Sequence, residues 1–245
     1  MNRTKPPFRA DHVGSLLRPA SLHEARAKRA SDEIGADALK AIEDREIERI
    51  IKKQEEMGLH AITDGEFRRS WWHLDFLWGL DGAEKHIMDA GVKFAAVNTR
   101  NEGVQVTGKL GMAGPHPMVE HFKFVAAHTQ RTPKITIPAP SAIYGRPMMT
   151  PIDKQVYPGM DAFFSDLGQA YKKAVRGFAD AGCRYLQLAK HARLAHFAEW
   201  RCPCAIAGRT AVAAPAALSA PAAICKDRAG PQPDTTGRTA GRCAH

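Results

Sequence analysis

Two carboxylates stand two residues apart in DGEF, at Asp64 and Glu66, directly behind the apolar run LHAIT. The stretch LHAITDGEF (59–67) therefore predicts a short buried strand that ends in acids and a glycine. At such an end Glu66 can hold a substrate ammonium group, and Asp64 can act as a base or as an orienting acceptor. The same residues also fit a plain glycine turn with two solvated acids. A second cluster, HVGSLLRP (12–19), places Ser15 and the amides around Gly14 at the end of a strand predicted over residues 9–15. Amides in that setting can bind a carboxylate or a phosphate, or simply close a tight turn.

Two further groups hold chemistry-bearing side chains. WWHLDFLW (71–78) can line a flat ligand or cap a hydrophobic core. The CPC triplet, Cys202 and Cys204, shares the last quarter with Cys225, Cys243, His191, His196 and His245. These are metal-ligating atoms, but their spacing matches neither paired Cys-x-x-Cys nor a Cys2His2 pattern, and composition alone accounts for them.

The elements that must position these residues alternate in type. Ser21 is a predicted N-cap for LHEARAKRA. A long helix is predicted from Asp37, with Leu39, Ile42, Ile47, Ile50, Ile51 and Met57 on one face and Gly58 as its stop. Residues 70–90 read as a long loop or short helix, and VQVTGKL (104–110) as a strand. HPMVEHFKFVAAHT (116–129) reads as a helix and KITIPAP (134–140) as a strand stopped by prolines. The strongest helix is 160–182, where Phe163, Phe164, Leu167, Tyr171, Ala174, Val175, Phe178 and Ala181 form one stripe. CRYLQL (183–188) is the next strand. Strands alternating with helices imply a parallel sheet, and five strands are countable by Leu188. No strand is followed by Gly-x-Gly-x-x-Gly, which argues against a dinucleotide fold, and the polar residues collect after strand ends, as in barrel enzymes.

Composition sets the outer bounds. No apolar run approaches the ~18 residues of a membrane helix, and the N-terminus has no apolar core of a secretory signal, so the expected compartment is the cytoplasm. The formal charge of +9 invites an anionic partner, but residues 189–245 carry eight Lys/Arg against three Asp/Glu, so five of the nine excess charges sit there. That basic tail holds only Phe197 and Trp200 as aromatics and no nucleic-acid motif, which makes nucleic-acid binding the weakest of the functional alternatives.

Taken in order, PFRADHVGSLLRP, EMGLHAITDGEFRRSWWHLDF, KITIPAPSAIYGR and AYKKAVRGFADAGCRYLQL resemble the cobalamin-independent methionine synthase family, most closely its stand-alone single-barrel members, over about residues 6–188. The resemblance implies a (β/α)8 TIM barrel of the methionine synthase and uroporphyrinogen decarboxylase type. It implies zinc-dependent transfer of a methyl group from a folate-type donor to a thiol such as homocysteine, as in methionine biosynthesis. Val13, Gly14 and Ser15 match the family's motif for the homocysteine carboxylate, and Glu66 matches its glutamate for the amino group. Asp64, His12 and Trp72 lie beside these motifs without a family role, and a family aromatic falls at Pro140.

The resemblance stops at Leu188. Ala189 stands where the family has an acidic residue after YLQL, and no later residue matches the family's zinc ligands, a His-x-Cys pair, a Glu and a further Cys. Residues 189–245 are rich in Ala, Arg, Pro, Gly and Cys, as a GC-rich coding region reads out of frame, and they are expected to be disordered. The sequence thus predicts an incomplete barrel over 1–188 with a non-family tail. The alternative to an active methyltransferase is a truncated, inactive fragment without its zinc site.

Overall fold

The computed structural model describes residues 5, 6, 8, 11–91, 93, 94, 97–144 and 152–189. Helices α1 (Ala20–Ala30) and α2 (Ala36–Glu56) lead into strand β1 (Ala61–Ile62) and the one-turn helix α3 (Leu74–Leu77). Strands β2 (Asp81–Ile87), β3 (Lys93–Phe94), β4 (Val97–Asn98) and β5 (Glu102–Gly111) follow. Helix α4 (Met118–His128) precedes strands β6 (Thr132–Pro133) and β7 (Ile135–Pro138), and helix α5 (Met160–Asp180) precedes β8 (Leu186–Ala189).

The parallel pairings are those of an α/β protein. β1 pairs with β6, Ala61 opposite Thr132, and β7 pairs with β8, Ile135 opposite Leu186. Lys134 N donates to Ile62 O at 2.8 Å, which keeps the 132–138 run beside β1 before it turns to its other neighbour. Helices α4 and α5 make the crossovers that parallel strands require. Among the described residues the assembly is mixed α/β, with the strands in separate pairs and no closed barrel.

Two predicted strands behave differently. Residues 104–110 do not join the parallel set. They lie in β5, which pairs antiparallel with β2, Ile87 opposite Glu102. Period-two alternation is common to both strand orientations, and β2 hides itself because Ala83 is its sole buried residue. The predicted strand over 9–15 is also absent among its described residues, 11–15. That segment meets the end of β1 through one backbone bond, Leu16 N to Gly65 O at 3.0 Å, and otherwise through side chains of the neighbouring strands.

The amphipathic faces set the core. On α5, Phe163, Leu167, Tyr171, Ala174 and Phe178 are buried and pack with Val104, Val106, Ile135 and Ile137. A second cluster gathers Leu22, Ile47, Ile51, Ile62, Phe67 and Val125 beneath α1, α2 and α4. Met57, predicted on the α2 stripe, is 69% exposed because the helix ends before it. Ser21 is not the cap of α1. The cap position is Pro19, two residues earlier, and Ser21 Oγ donates to Glu46 Oε1 at 3.0 Å. Among the described residues no helix is long and apolar enough to cross a membrane. Ala189 ends β8, and the rest of the tail, with Cys202, Cys204, Cys225, Cys243, His191, His196 and His245, lies outside the described residues.

Candidate functional site

The chain leaves β1 through Thr63 and turns sharply. Gly65 has φ 65°, and Glu66, a residue with a Cβ, has φ 60°. A left-handed glutamate costs on the order of 1–3 kcal/mol and persists only where its surroundings over-determine it. They do so here. Glu66 N donates to Asp64 Oδ1 at 2.8 Å, Arg18 Nη2 donates to Glu66 O at 2.8 Å, and the Phe67 ring is anchored in the second core cluster. A Cβ on Gly65 would lie 2.8 Å from Phe67 Cε1, so that position admits only glycine.

This turn buries both carboxylates, with Asp64 at 4% and Glu66 at 2% exposure. The solvated-turn alternative for DGEF is therefore excluded. Glu66 Oε1 faces Arg69 Nη1 at 3.3 Å. Burial raises the Glu66 pKa, Arg69 opposes the rise, Asp64 adds to it, and a side-chain hydrogen bond from Ser15 again opposes it. Glu66 Oε2 and Asp64 Oδ2 are buried with no hydrogen-bond partner among the described residues. Two carboxylate oxygens of this kind can accept an ammonium group.

The Ser15 segment adjoins the turn, although the two are far apart in sequence: Leu16 N donates to Gly65 O at 3.0 Å. Gly14 is buried at φ 130°, and a Cβ there would meet Thr63 Cγ2 at 3.3 Å. Val13 is 54% exposed. The structure brings Gly14, Ser15 and Glu66 together and leaves the Val13 side chain facing solvent.

An arginine frame surrounds the turn, and sequence reasoning did not single it out. Arg18 and Arg26 both donate to Arg69 O at 2.9 Å, and Arg26 also reaches Phe67 O. Arg69, 1% exposed, donates to Trp72 O at 3.1 Å. Arg68 pairs with Glu43 at 3.5 Å and with Asp44. The RR pair directly after DGEF is the signal that could have marked the frame. Beside it opens a cavity of about 520 Å³ whose lining includes Arg18, His23, Arg26, Arg68, Arg100 and Glu43. A second cavity of about 590 Å³ shares Arg68 and Glu43 and reaches His121, whose pKa burial lowers to about 4 against the pull of Asp64.

The tryptophans act on the core. Trp71 and Trp78 pack against the larger cluster and donate to the hairpin, to Glu102 Oε2 at 2.5 Å and Gly103 O at 3.0 Å. His12 Nε2 lies 3.1 Å from Ala61 O. Pro140 is buried in a 3-10 turn over Pro140–Ile143.

The described residues do not suit zinc. Among them no three His, Cys, Asp or Glu side chains gather closely enough to hold a metal ion. Their cysteine, Cys183, is buried, and burial pushes its thiol up to about 11, far from the thiolate a zinc site uses.

No family model matches the chain. It is 49% identical over 185 residues to the uncharacterized protein YxjH of Bacillus subtilis, covering 75% of this chain and 48% of that protein. It is 46% identical over 190 residues to the uncharacterized protein YxjG of the same organism, covering 77% and 49%. A Listeria monocytogenes structure provisionally named a vitamin-B12-independent methionine synthase superposes with a TM-score of 0.61 at 39% identity, covering 77% of this chain and 56% of that one. A B12-independent methionine synthase from a Shewanella species, solved with selenomethionine, shares the fold at a TM-score of 0.50 and 17% identity, covering 63% and 43%. The chain spans about half the length of the curated relatives it matches, and these two structural neighbours are named as B12-independent methionine synthases, the first provisionally.

Proposed function

We propose that the chain carries the amino-acid-binding part of a methionine-synthase-type methyltransferase, which moves a methyl group from a folate-type donor to a thiol such as homocysteine. One observation carries this. Glu66 Oε2 and Asp64 Oδ2 are buried at the end of β1 and unpartnered among the described residues, and the Gly14–Ser15 segment adjoins them through the Leu16 N to Gly65 O bond. An α-amino acid presents an ammonium and a carboxylate about 3 Å apart, and the two segments offer a matching acceptor and matching donors. In this arrangement ionised Glu66 takes the ammonium, the amides of Val13, Gly14 and Ser15 take the carboxylate, and the thiol is left to project toward the donor. Fixing the amino-acid end in this way lowers the entropy to be lost in the transfer. The arginine-lined cavity beside the turn suits a carboxylate-bearing donor.

The resemblance implies zinc, which activates a thiol as its thiolate. The described residues do not supply a site for it. A second reading is a chain that binds the amino acid without turnover; it rests on the same described residues, among which no metal-ligating group gathers. One experiment separates the two. The full 245-residue chain is supplied with zinc, homocysteine and a methyl-labelled folate. Labelled methionine and stoichiometric protein-bound zinc support the enzyme. Homocysteine binding without either supports binding without turnover, and absence of both binding and turnover contradicts the proposal.

A further inference from the structure

We infer that Thr63, Lys134 and Thr136 are positioning residues, whose side chains clamp three successive carbonyls and thereby aim the amides of Val13, Gly14 and Ser15. The inference rests on the proposed amino-acid site and names the residues that shape its carboxylate half.

Segment 11–15 is not a strand, so no neighbouring ladder fixes its peptide planes. Side chains do so instead. Lys134 Nζ donates to His12 O, Thr136 Oγ1 donates to Val13 O, and Thr63 Oγ1 donates to Gly14 O at 2.9 Å. The three donors come from two neighbouring runs. Lys134 and Thr136 are two residues apart in the extended 132–138 run and share one face, while Thr63 follows β1. All three are 2% exposed. Lys134 keeps a charge partner in Asp11 Oδ2 at 2.9 Å, and Tyr185 donates its hydroxyl to the same carboxylate. The start of the segment is thus tied to β1, β7 and the residue preceding β8.

The planarity of the peptide unit turns this clamp into an orienting device. In a trans peptide the N–H points opposite to the C=O of the same unit. The carbonyls of His12, Val13 and Gly14 belong to the units that carry the amides of Val13, Gly14 and Ser15. Drawing those carbonyls toward the threonines and the lysine faces the three amides the other way, the side on which the proposal seats the carboxylate. The left-handed Gly14, packed 3.6 Å from Thr136 Oγ1 and 3.3 Å from Thr63 Cγ2 at its Cβ position, is the residue that permits the path.

The test compares Thr136→Val, which keeps the shape and removes the donor, with Thr136→Ser, which keeps the donor. Each variant of the full chain is titrated with L-homocysteine and with 3-aminopropanethiol, its analogue without the carboxylate. Thr136→Val should weaken homocysteine about 5-fold, the worth of one net hydrogen bond, and leave the analogue unchanged, while Thr136→Ser binds like the wild type. Hydrogen exchange at the Leu16 amide, which donates to Gly65 O directly after the clamped segment, should quicken in Thr136→Val and not in Thr136→Ser, with no ligand needed. Equal loss for both ligands, or wild-type homocysteine affinity in Thr136→Val, overturns the inference. If the wild type binds neither ligand, the amino-acid reading fails, and exchange alone decides the clamp: unchanged exchange in Thr136→Val overturns it and faster exchange upholds it.

Discussion

Arg69 and Glu66 face each other across one turn of the loop after β1, guanidinium to carboxylate at 3.3 Å, with side-chain exposures of 1% and 3%. Neither charge has water to fall back on, so the pair is worth less as an attraction than it costs to break. Arg69→Met should destabilise the protein by about 3–5 kcal/mol, because the Glu66 carboxylate remains buried without its ion partner. Arg69→Met combined with Glu66→Leu should recover most of that loss. Urea unfolding of the four variants in a double-mutant cycle measures both.

The same burial fixes a pH dependence. Glu66 has its pKa raised in the folded protein, by burial first and by Asp64 in addition. Between the ordinary glutamate value of about 4.3 and that raised value, the folded state holds more protons than the unfolded state. Stability therefore falls as pH rises through this window, and is free of the penalty below it. The stability of the wild type relative to Glu66→Gln should decline across the window, as read by denaturation at stepped pH. Affinity for an amino-acid ammonium should rise over the same range, since only ionised Glu66 attracts it.

Gly14 is strained for any other residue at φ 130° and has no room toward Thr63. Gly14→Ala should cost about 1–3 kcal/mol and remove homocysteine binding. Gly159→Ala is the control, since a Cβ there meets nothing within 4 Å. Thermal melts and ligand titration of the two variants check the contrast.

Cys183 is buried at the start of the run into β8, and burial pushes its thiol up to about 11. Thiolate is the reactive form, so the native protein should alkylate at Cys183 far more slowly than the urea-unfolded chain. Mass mapping of the peptide containing Cys183 after timed iodoacetamide treatment gives both rates.

The parts of the fold that the sequence disclosed are those with a periodic apolar face. Phe163, Leu167, Tyr171, Ala174 and Phe178 announce α5, and Ile47 and Ile51 announce α2. Asp64 and Glu66 were legible because an apolar run delivers them to a strand end. The β2–β5 hairpin was not, since DGAEKHI buries one residue and carries no apolar period. Arg69 was hidden for a different reason: a pair of arginines normally marks solvated surface, and only packing beneath Arg18 and Arg26 shows it to be interior. Thr63 and Thr136 are ordinary strand residues by type, and their role lies wholly in what their hydroxyls reach. Residues 9–15 read as a strand by composition, but the carbonyls of His12, Val13 and Gly14 are satisfied by side chains rather than by a neighbouring ladder.

The central claim is that Glu66 holds the ammonium of a thiol amino acid, and calorimetric titration of L-homocysteine into wild-type protein and Glu66→Gln tests it most directly. The account predicts saturable one-to-one binding by the wild type and an affinity about 10–100-fold weaker in Glu66→Gln, the worth of a hydrogen bond to a charged group. Equal affinities in the two proteins, or no saturable binding by the wild type, would contradict it.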